Sequence, residues 1–328
     1  MTTHTISVAI PVYQGEHTLP ALLAELAEHA EPRDTADGHA YVVSEVLLVF
    51  DHGPDRSAQT VRELAEKYPF VRPIWLSRNF GQHAATLAGM ASSGGDWIIT
   101  MDEDGQHDPA DIPRFLDTAL AQDATLVYSH PVNAAPHGIA RNVASRSTKF
   151  LFAKVFARGS GLETFQSFRL VLGELGRSVA AYAGAGVFLD VALGWVNPCS
   201  TTCDVTLRAE GGRVSGYSAR RLLSHFWRLV LSSGTRGLRL VSVAGVISLL
   251  IGVTLAVYLV VARLGDNAPV QGWTSVMVGM LLGIGALLFS LGIIAEYIGV
   301  AVNMAMGRPL YLIVSDPADG PLGRRDRT

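Results

Sequence analysis

The sequence predicts an α/β domain built on a mostly parallel, Rossmann-like sheet, followed by a two-helix hairpin long enough to cross a bilayer. Through the first hundred residues, apolar β-rich runs alternate with helix-like stretches, the pattern of a parallel sheet covered by helices. Two later stretches, residues 240–262 and 273–295, each run for about 23 residues without a charge, which is the length of a membrane-spanning helix. A hydrophobic content of 49% and a mean hydropathy of +0.28 exceed what a soluble core requires.

The first strand is expected at residues 6–12, with no basic, apolar leader before it, so the N-terminus should stay in the cytoplasm. A helix is expected at 19–29; strands at 46–50, 71–76 and 97–101 then alternate with helices at 57–67 and 82–91. A basic, helix-compatible stretch follows at 134–158, and residues 220–231 (RRLLSHFWRLVL) read as an amphipathic helix suited to a membrane interface. The expected organisation is a cytoplasmic domain at 1–218, a juxtamembrane helix at 219–239, a hairpin at 240–296 and a cytoplasmic tail at 297–328, disordered from Asp316. Arg220, Arg221, Arg228, Arg236 and Arg239 precede the first span and Arg308 follows the second, whereas the turn holds only Arg263. That asymmetry keeps the large domain in the cytoplasm of a multi-pass inner-membrane protein.

Composition also excludes partners. The net charge of −3 and the dispersed basic residues lack the footprint of a nucleic-acid binder. The two cysteines, Cys199 and Cys203, are expected as reduced thiols, since they supply neither a disulfide framework nor a tetrahedral zinc site.

In parallel sheets ligands bind beyond the carboxyl ends of the strands, and polar stretches stand there at 13–16, 51–55, 78–82 and 102–106. In Asp102-Glu103-Asp104-Gly105-Gln106, closely spaced carboxylates offer hard oxygen ligands, so Asp102 and Asp104 are candidates for magnesium or manganese. Such an ion with open positions suits the two phosphates of a nucleotide sugar. Asp51 and Asp55 are candidates to accept hydrogen bonds from a nucleobase or ribose; the alternative is a turn around Gly53 and Pro54. Arg78 offers a planar fork for a diphosphate, and Gly81 lets the backbone come close. His83 is a weaker candidate beside a helix start.

These residues resemble the polyprenyl-phosphate glycosyltransferases of family 2, which include dolichyl-phosphate mannose synthases and undecaprenyl-phosphate glucosyl- and aminoarabinose transferases. The resemblance covers nearly the whole chain. It rests on Ile10-Pro11-Val12-Tyr13, Ser77-Arg78-Asn79-Phe80-Gly81-Gln82-His83, Ala88-Gly89-Met90, Gly95-Asp96, Asp102-Glu103-Asp104-Gly105-Gln106 and Ser167-Phe168-Arg169-Leu170. Towards the end it adds the segment 291–299 (LGIIAEYIG) and Gly307-Arg308-Pro309-Leu310-Tyr311. It implies a glycosyltransferase A fold, a metal at Asp102 and Asp104, nucleoside contacts near Pro11, Tyr13, Glu16 and Asp51, and a membrane hairpin that often assembles as a homotetramer. The implied substrates are a UDP- or GDP-sugar and a polyprenyl phosphate lipid.

The chain departs from that family at three places. Asp-Asp-Gly-Ser is replaced by Phe50-Asp51-His52-Gly53. Ser-Lys-Tyr is replaced by Ser215-Gly216-Tyr217, which leaves Arg208, Arg213 and Arg220 as candidates to grip the lipid phosphate. The acidic residue common before Phe-Arg is Ser167, with Glu163 four positions earlier as the candidate catalytic carboxylate. Asp104, Gln106 and Arg169 complete the catalytic candidates: the metal and Arg78 are expected to stabilise the leaving diphosphate, and Arg169 to place the lipid phosphate for inverting attack. Glu296, at the end of the second span, is expected to be structural. The alternatives are a processive polysaccharide synthase, disfavoured by the lack of Gln-x-x-Arg-Trp, and a non-catalytic membrane scaffold or flippase accessory.

Overall fold

The computed structural model describes residues 3–133, 166–183, 187, 189–197, 199–208, 245–247, 250–254, 257–258, 261, 272–307 and 309–320. The chain divides into two compact units, one of Met1–Tyr217 with Pro309–Thr328 and one of Ser218–Arg308. Both the basic stretch at 134–158 and the amphipathic helix at 220–231 lie outside the described residues.

In the first unit the alternation expected from the sequence is present. Strand β1 (His4–Val12) leads to α1 (Leu19–Ala27), and the short β2 (Arg33–Asp34) pairs antiparallel with β3 (Ala40–Phe50). There follow α2 (Ser57–Lys67), β4 (Val71–Leu76), α3 (Gln82–Ser92) and β5 (Trp97–Thr100). β1 pairs in parallel with β3 on one side and β5 on the other, and β3 pairs in parallel with β4. Seven consecutive residues of β1 are buried, as expected for a central parallel strand covered on both faces. Ile6, Val8, Ile10 and Val12 join the core under α1, α2 and α4 (Ile112–Ala121). α3 covers the opposite face, where Leu47, Val49, Ile74 and Leu76 meet Ala85 and Ala88. The small residues of α3 admit the close helix–strand approach.

Beyond β5 the sheet differs from the parallel expectation. It continues through β6 (Leu126–Pro131), β7 (Arg169–Leu172) and β8 (Ser200–Val205), with α5 (Gly173–Tyr182) and α6 (Leu189–Val196) between the last two strands. β7 runs antiparallel to both β5 and β6, and β6 pairs in parallel with β8. A final strand, β9 (Ile313–Val314), pairs antiparallel with the outer edge of β4. The strand order is β8-β6-β7-β5-β1-β3-β4-β9. The expected cytoplasmic tail therefore contributes an edge strand ahead of Asp316, and Asp316 itself, where disorder was expected to begin, is paired with Arg62 of α2.

In the second unit, among the described residues, no helix is long and apolar enough to cross a membrane. The first expected span, 240–262, is described only in part, and its described residues between Gly245 and Val261 are helical. The second falls within α7 (Trp273–Ala305), 33 residues long with Glu296 as its single charge.

Candidate active site

The chain winds from β1 outward through β3 to β4 and then returns to place β5 on the other side of β1. The order reverses between β1 and β5, and the carboxyl ends of strands at such a point form a crevice for ligands. Residues 13–16 and 102–106 meet there, flanked by 51–55 and 77–82.

Hydrogen bonds stitch these loops together. The Glu103 carboxylate accepts from the Tyr13 and Gln14 amides, both at 2.9 Å, and so ties the β5 loop to the β1 loop. Gly15 N–H donates to Ser57 Oγ at 2.8 Å, and Glu16 accepts from the Arg56 amide at 3.1 Å, joining β1 to the β3 loop. Asp51 is buried and accepts from the Phe80 and Gly81 amides at 2.7 and 2.8 Å, which holds the β3 and β4 loops together. Burial pushes its carboxyl above the usual range, against the pull of those two amides. His52, at a positive φ of 53°, donates from Nε2 to the Leu76 carbonyl at 2.6 Å and so pins the end of β4.

Gly53 is required by packing. A Cβ there would sit 1.5 Å from the Tyr13 carbonyl oxygen, a backbone atom with no room to yield. Gly53→Ala is therefore expected to cost about 1–3 kcal/mol of stability from overpacking and to weaken nucleotide binding. Thermal melting together with calorimetric titration of UDP or GDP checks this; a variant equal to the native chain in both would contradict the close approach.

Asp102 is half-buried: Gln82 Nε2 donates to its Oδ1 and the Ser167 hydroxyl to its Oδ2, both at 2.6 Å. Its own amide donates to His107 Nδ1 at 3.1 Å, and the buried His107 ring stacks on Phe168 with centroids 4.7 Å apart. Asp104 Oδ1 accepts from the Gln106 amide at 3.0 Å across Gly105. Arg78 is exposed, with its guanidinium 4.5 Å from the centroid of the Phe80 ring, a cation–π contact worth ~0.5–1 kcal/mol. Among the described residues no three His, Cys, Asp or Glu side chains gather as a metal site. Two carboxylates fit an ion such as magnesium, which takes one or two protein carboxylates and draws its remaining ligands from substrate phosphates and water.

Pro11 is buried within β1 opposite Val49, whereas Tyr13 is 43% exposed at the strand end. Both Asp51 oxygens are engaged by loop amides, and Asp55 accepts from the Ser57 amide and hydroxyl at 3.2 and 2.6 Å. Asp51 thus ties the β3 loop to the β4 loop, and Asp55 holds the start of α2. Arg169, expected to place the lipid phosphate, is engaged within the fold. It is 4% exposed, ion-paired with Asp190 and bonded from Nε to Thr100 Oγ1 at 3.1 Å, and Tyr128 donates to the same Asp190 oxygen at 3.1 Å. Arg208 bonds Glu25 at 2.7 Å and Asp108 at 2.8 Å, so its guanidinium is already committed to two carboxylates. Glu163, Arg213 and Arg220 lie outside the described residues.

Sequence reasoning missed the tethering role of Glu103. Its sequence signal was a third carboxylate between two candidate ligands; its burial, at 8% exposure, is visible only in the structure. Glu103→Gln turns one acceptor into a donor facing a backbone N–H, and is expected to cost ~1–3 kcal/mol and to raise the donor KM more than it lowers kcat. Steady-state kinetics and melting curves check it.

Fold and site together define an α/β domain with a crevice of polar loops at the switch point of a doubly wound sheet. Residues 7–170 match Glycosyl transferase family 2, and the chain belongs to that family. The undecaprenyl-phosphate 4-deoxy-4-formamido-L-arabinose transferase of Photorhabdus laumondii is 30% identical over 311 residues, covering 94% of this chain and 93% of that protein. The protein of the same name from Pseudomonas aeruginosa is 33% identical over 321 residues, covering 94% and 89%. Glucosyl-3-phosphoglycerate synthase of Mycobacterium tuberculosis, solved with Mn2+, UDP-glucose and phosphoglyceric acid, superposes with a TM-score of 0.50 at 17% identity, over 71% of this chain and 79% of that one. The last likeness shows the glycosyltransferase A fold.

Proposed function

We propose that the chain transfers a sugar from a nucleoside diphosphate to a polyprenyl phosphate, undecaprenyl phosphate or a close equivalent, at the cytoplasmic face of the inner membrane. The observation that carries this reading is the pair Asp102 and Asp104 at the β1/β5 switch point, in a chain whose relatives of that activity match it over 94% of its length. A phosphate oxygen of the lipid attacks the anomeric carbon from the face opposite the diphosphate. The C1–O bond breaks, its electron pair leaves on the nucleoside diphosphate, and the configuration inverts. The attacking phosphate is already ionised at neutral pH, so the protein positions it without a strong base. Asp102 and Asp104 would hold magnesium or manganese, which supplies charge stabilisation to the departing diphosphate. Arg78 adds a second positive charge there.

Membrane attachment is supported by α7, whose Val276, Met280, Leu287, Leu288, Phe289 and Leu291 are each more than half exposed on a helix with one charge. Exposed apolar side chains of this number are stable only against another apolar phase or partner.

Transfer of radiolabelled sugar from a panel of UDP- and GDP-sugars to undecaprenyl phosphate, in detergent with magnesium or manganese, tests the reading. Lipid-borne label that disappears with a chelator and returns with metal is the expected result. Folded protein giving no lipid product from any donor would overturn it.

A further inference from the structure

The motif Gly307-Arg308-Pro309-Leu310-Tyr311 is absorbed by none of the chemistry above, yet it leads into a segment that packs directly behind the diphosphate loop. Ile313 and Val314 pair with Leu76 and Trp75 at the end of β4. The Ser77 amide, the first of the loop, donates to the Leu312 carbonyl at 2.9 Å. Tyr311 and Phe80 each pack against the cluster that holds Ile74, Leu76, Ala85 and Ala88. Phe80 is the ring under the Arg78 guanidinium, and its amide is one of the two that grip Asp51. At the far end, Asp316 accepts from Arg62 Nε and Nη2, both at 2.6 Å, and Arg62 lies 4.7 Å from the centroid of Trp75, the β4 residue paired with Val314.

We propose that residues 309–320 are a positioning strap for the donor subsite, with Tyr311 setting the Phe80–Arg78 stack and the Arg62–Asp316 clasp holding the strap in register on β4. A loop of five residues between a strand end and a helix start has little to fix it except its neighbours. Here the strap supplies one backbone bond to the loop and, through Tyr311, a ring on the same apolar cluster against which Phe80 packs. A two-point Arg–carboxylate pair restricts sliding along the edge better than a point charge would. Tyr311 and Asp316 touch neither the substrate nor the metal in this scheme and act only through Phe80 and Arg78.

The inference rests on the proposed donor site, so the test separates the two. Binding of UDP and of GDP with magnesium is measured by calorimetry on the native full chain, Tyr311→Phe, Tyr311→Ala, Asp316→Arg, and the double variant Arg62→Asp with Asp316→Arg. Failure of the native chain to bind either nucleotide sinks the donor-site reading itself. With native binding in hand, Tyr311→Ala and Asp316→Arg are each expected to weaken it about tenfold, in keeping with the cost of small misplacements. Tyr311→Phe, which keeps the ring, and the charge-exchanged double variant are expected to stay within about threefold of native. The donor KM should rise while the lipid KM and the melting temperature stay close to native. Native-like nucleotide affinity in Tyr311→Ala and Asp316→Arg, or equal increases in both KM values, would overturn the strap. If Tyr311→Ala fails to fold, Asp316→Arg and its charge-exchanged rescue decide the matter.

Discussion

Replacing Asp104 by alanine is expected to lower sugar transfer about a thousandfold, the scale of removing a group that stabilises charge in a leaving diphosphate. The fold should survive. Asp104 is half-buried on the loop after β5, and its Oδ1 bond to the Gln106 amide spans only two residues; losing that bond costs about 1 kcal/mol. Asp102→Ala is a poorer probe because it also frees Gln82 and Ser167 and so loosens α3 and the entrance to β7. The decisive comparison is transfer rate against metal concentration for the native chain and Asp104→Ala, with melting curves as control. A well-folded variant that keeps a tenth or more of native transfer would remove Asp104 from the chemistry.

The second large effect concerns Arg169. Arg169→Met is expected to destabilise the catalytic unit by ~3–5 kcal/mol, because it strands the Asp190 carboxylate in a buried site without its cation. For a unit of this size that lowers the melting temperature on the order of 10 °C. The paired variant Arg169→Met with Asp190→Leu removes both charges and should recover most of the loss. Activity then separates two roles. If the ion pair only joins β7 to α6, the paired variant regains transfer along with stability. A paired variant that is stable yet inactive would show that Arg169 meets the lipid phosphate, as the sequence alone suggested.

Several parts of the site were legible early because their cause is local. An apolar run that ends in Asp102, Glu103 and Asp104, or in Ser77 and Arg78, announces a strand whose polar end faces a ligand edge, and no distant partner is needed to see it. Asp102, Asp104 and the exposed Arg78 stand at such ends. Asp51 and Asp55 need more than that: a carboxylate after a strand looks the same whether it faces a nucleoside or caps loop amides, and only the neighbouring backbone shows that both accept from amides. Arg208 illustrates the same limit. In the sequence it is a candidate to grip the lipid phosphate, and in the structure it is paired with Glu25, 183 positions away.

By itself, then, the sequence determined the order of strands and helices from β1 to β5 and the polar loops at their ends, because hydrophobic periodicity is written within windows of ten residues or so. It also determined two apolar stretches of bilayer length and membership of a glycosyltransferase family. The tertiary structure decided the antiparallel β7, the extension of the sheet through β6 and β8, and the return of the last residues as β9. Those strands are short, and they are selected by the edge they complete. It also decided which charged side chains are committed to partners, since an ion pair such as Arg62–Asp316 joins residues 254 positions apart and leaves no periodic trace in either segment.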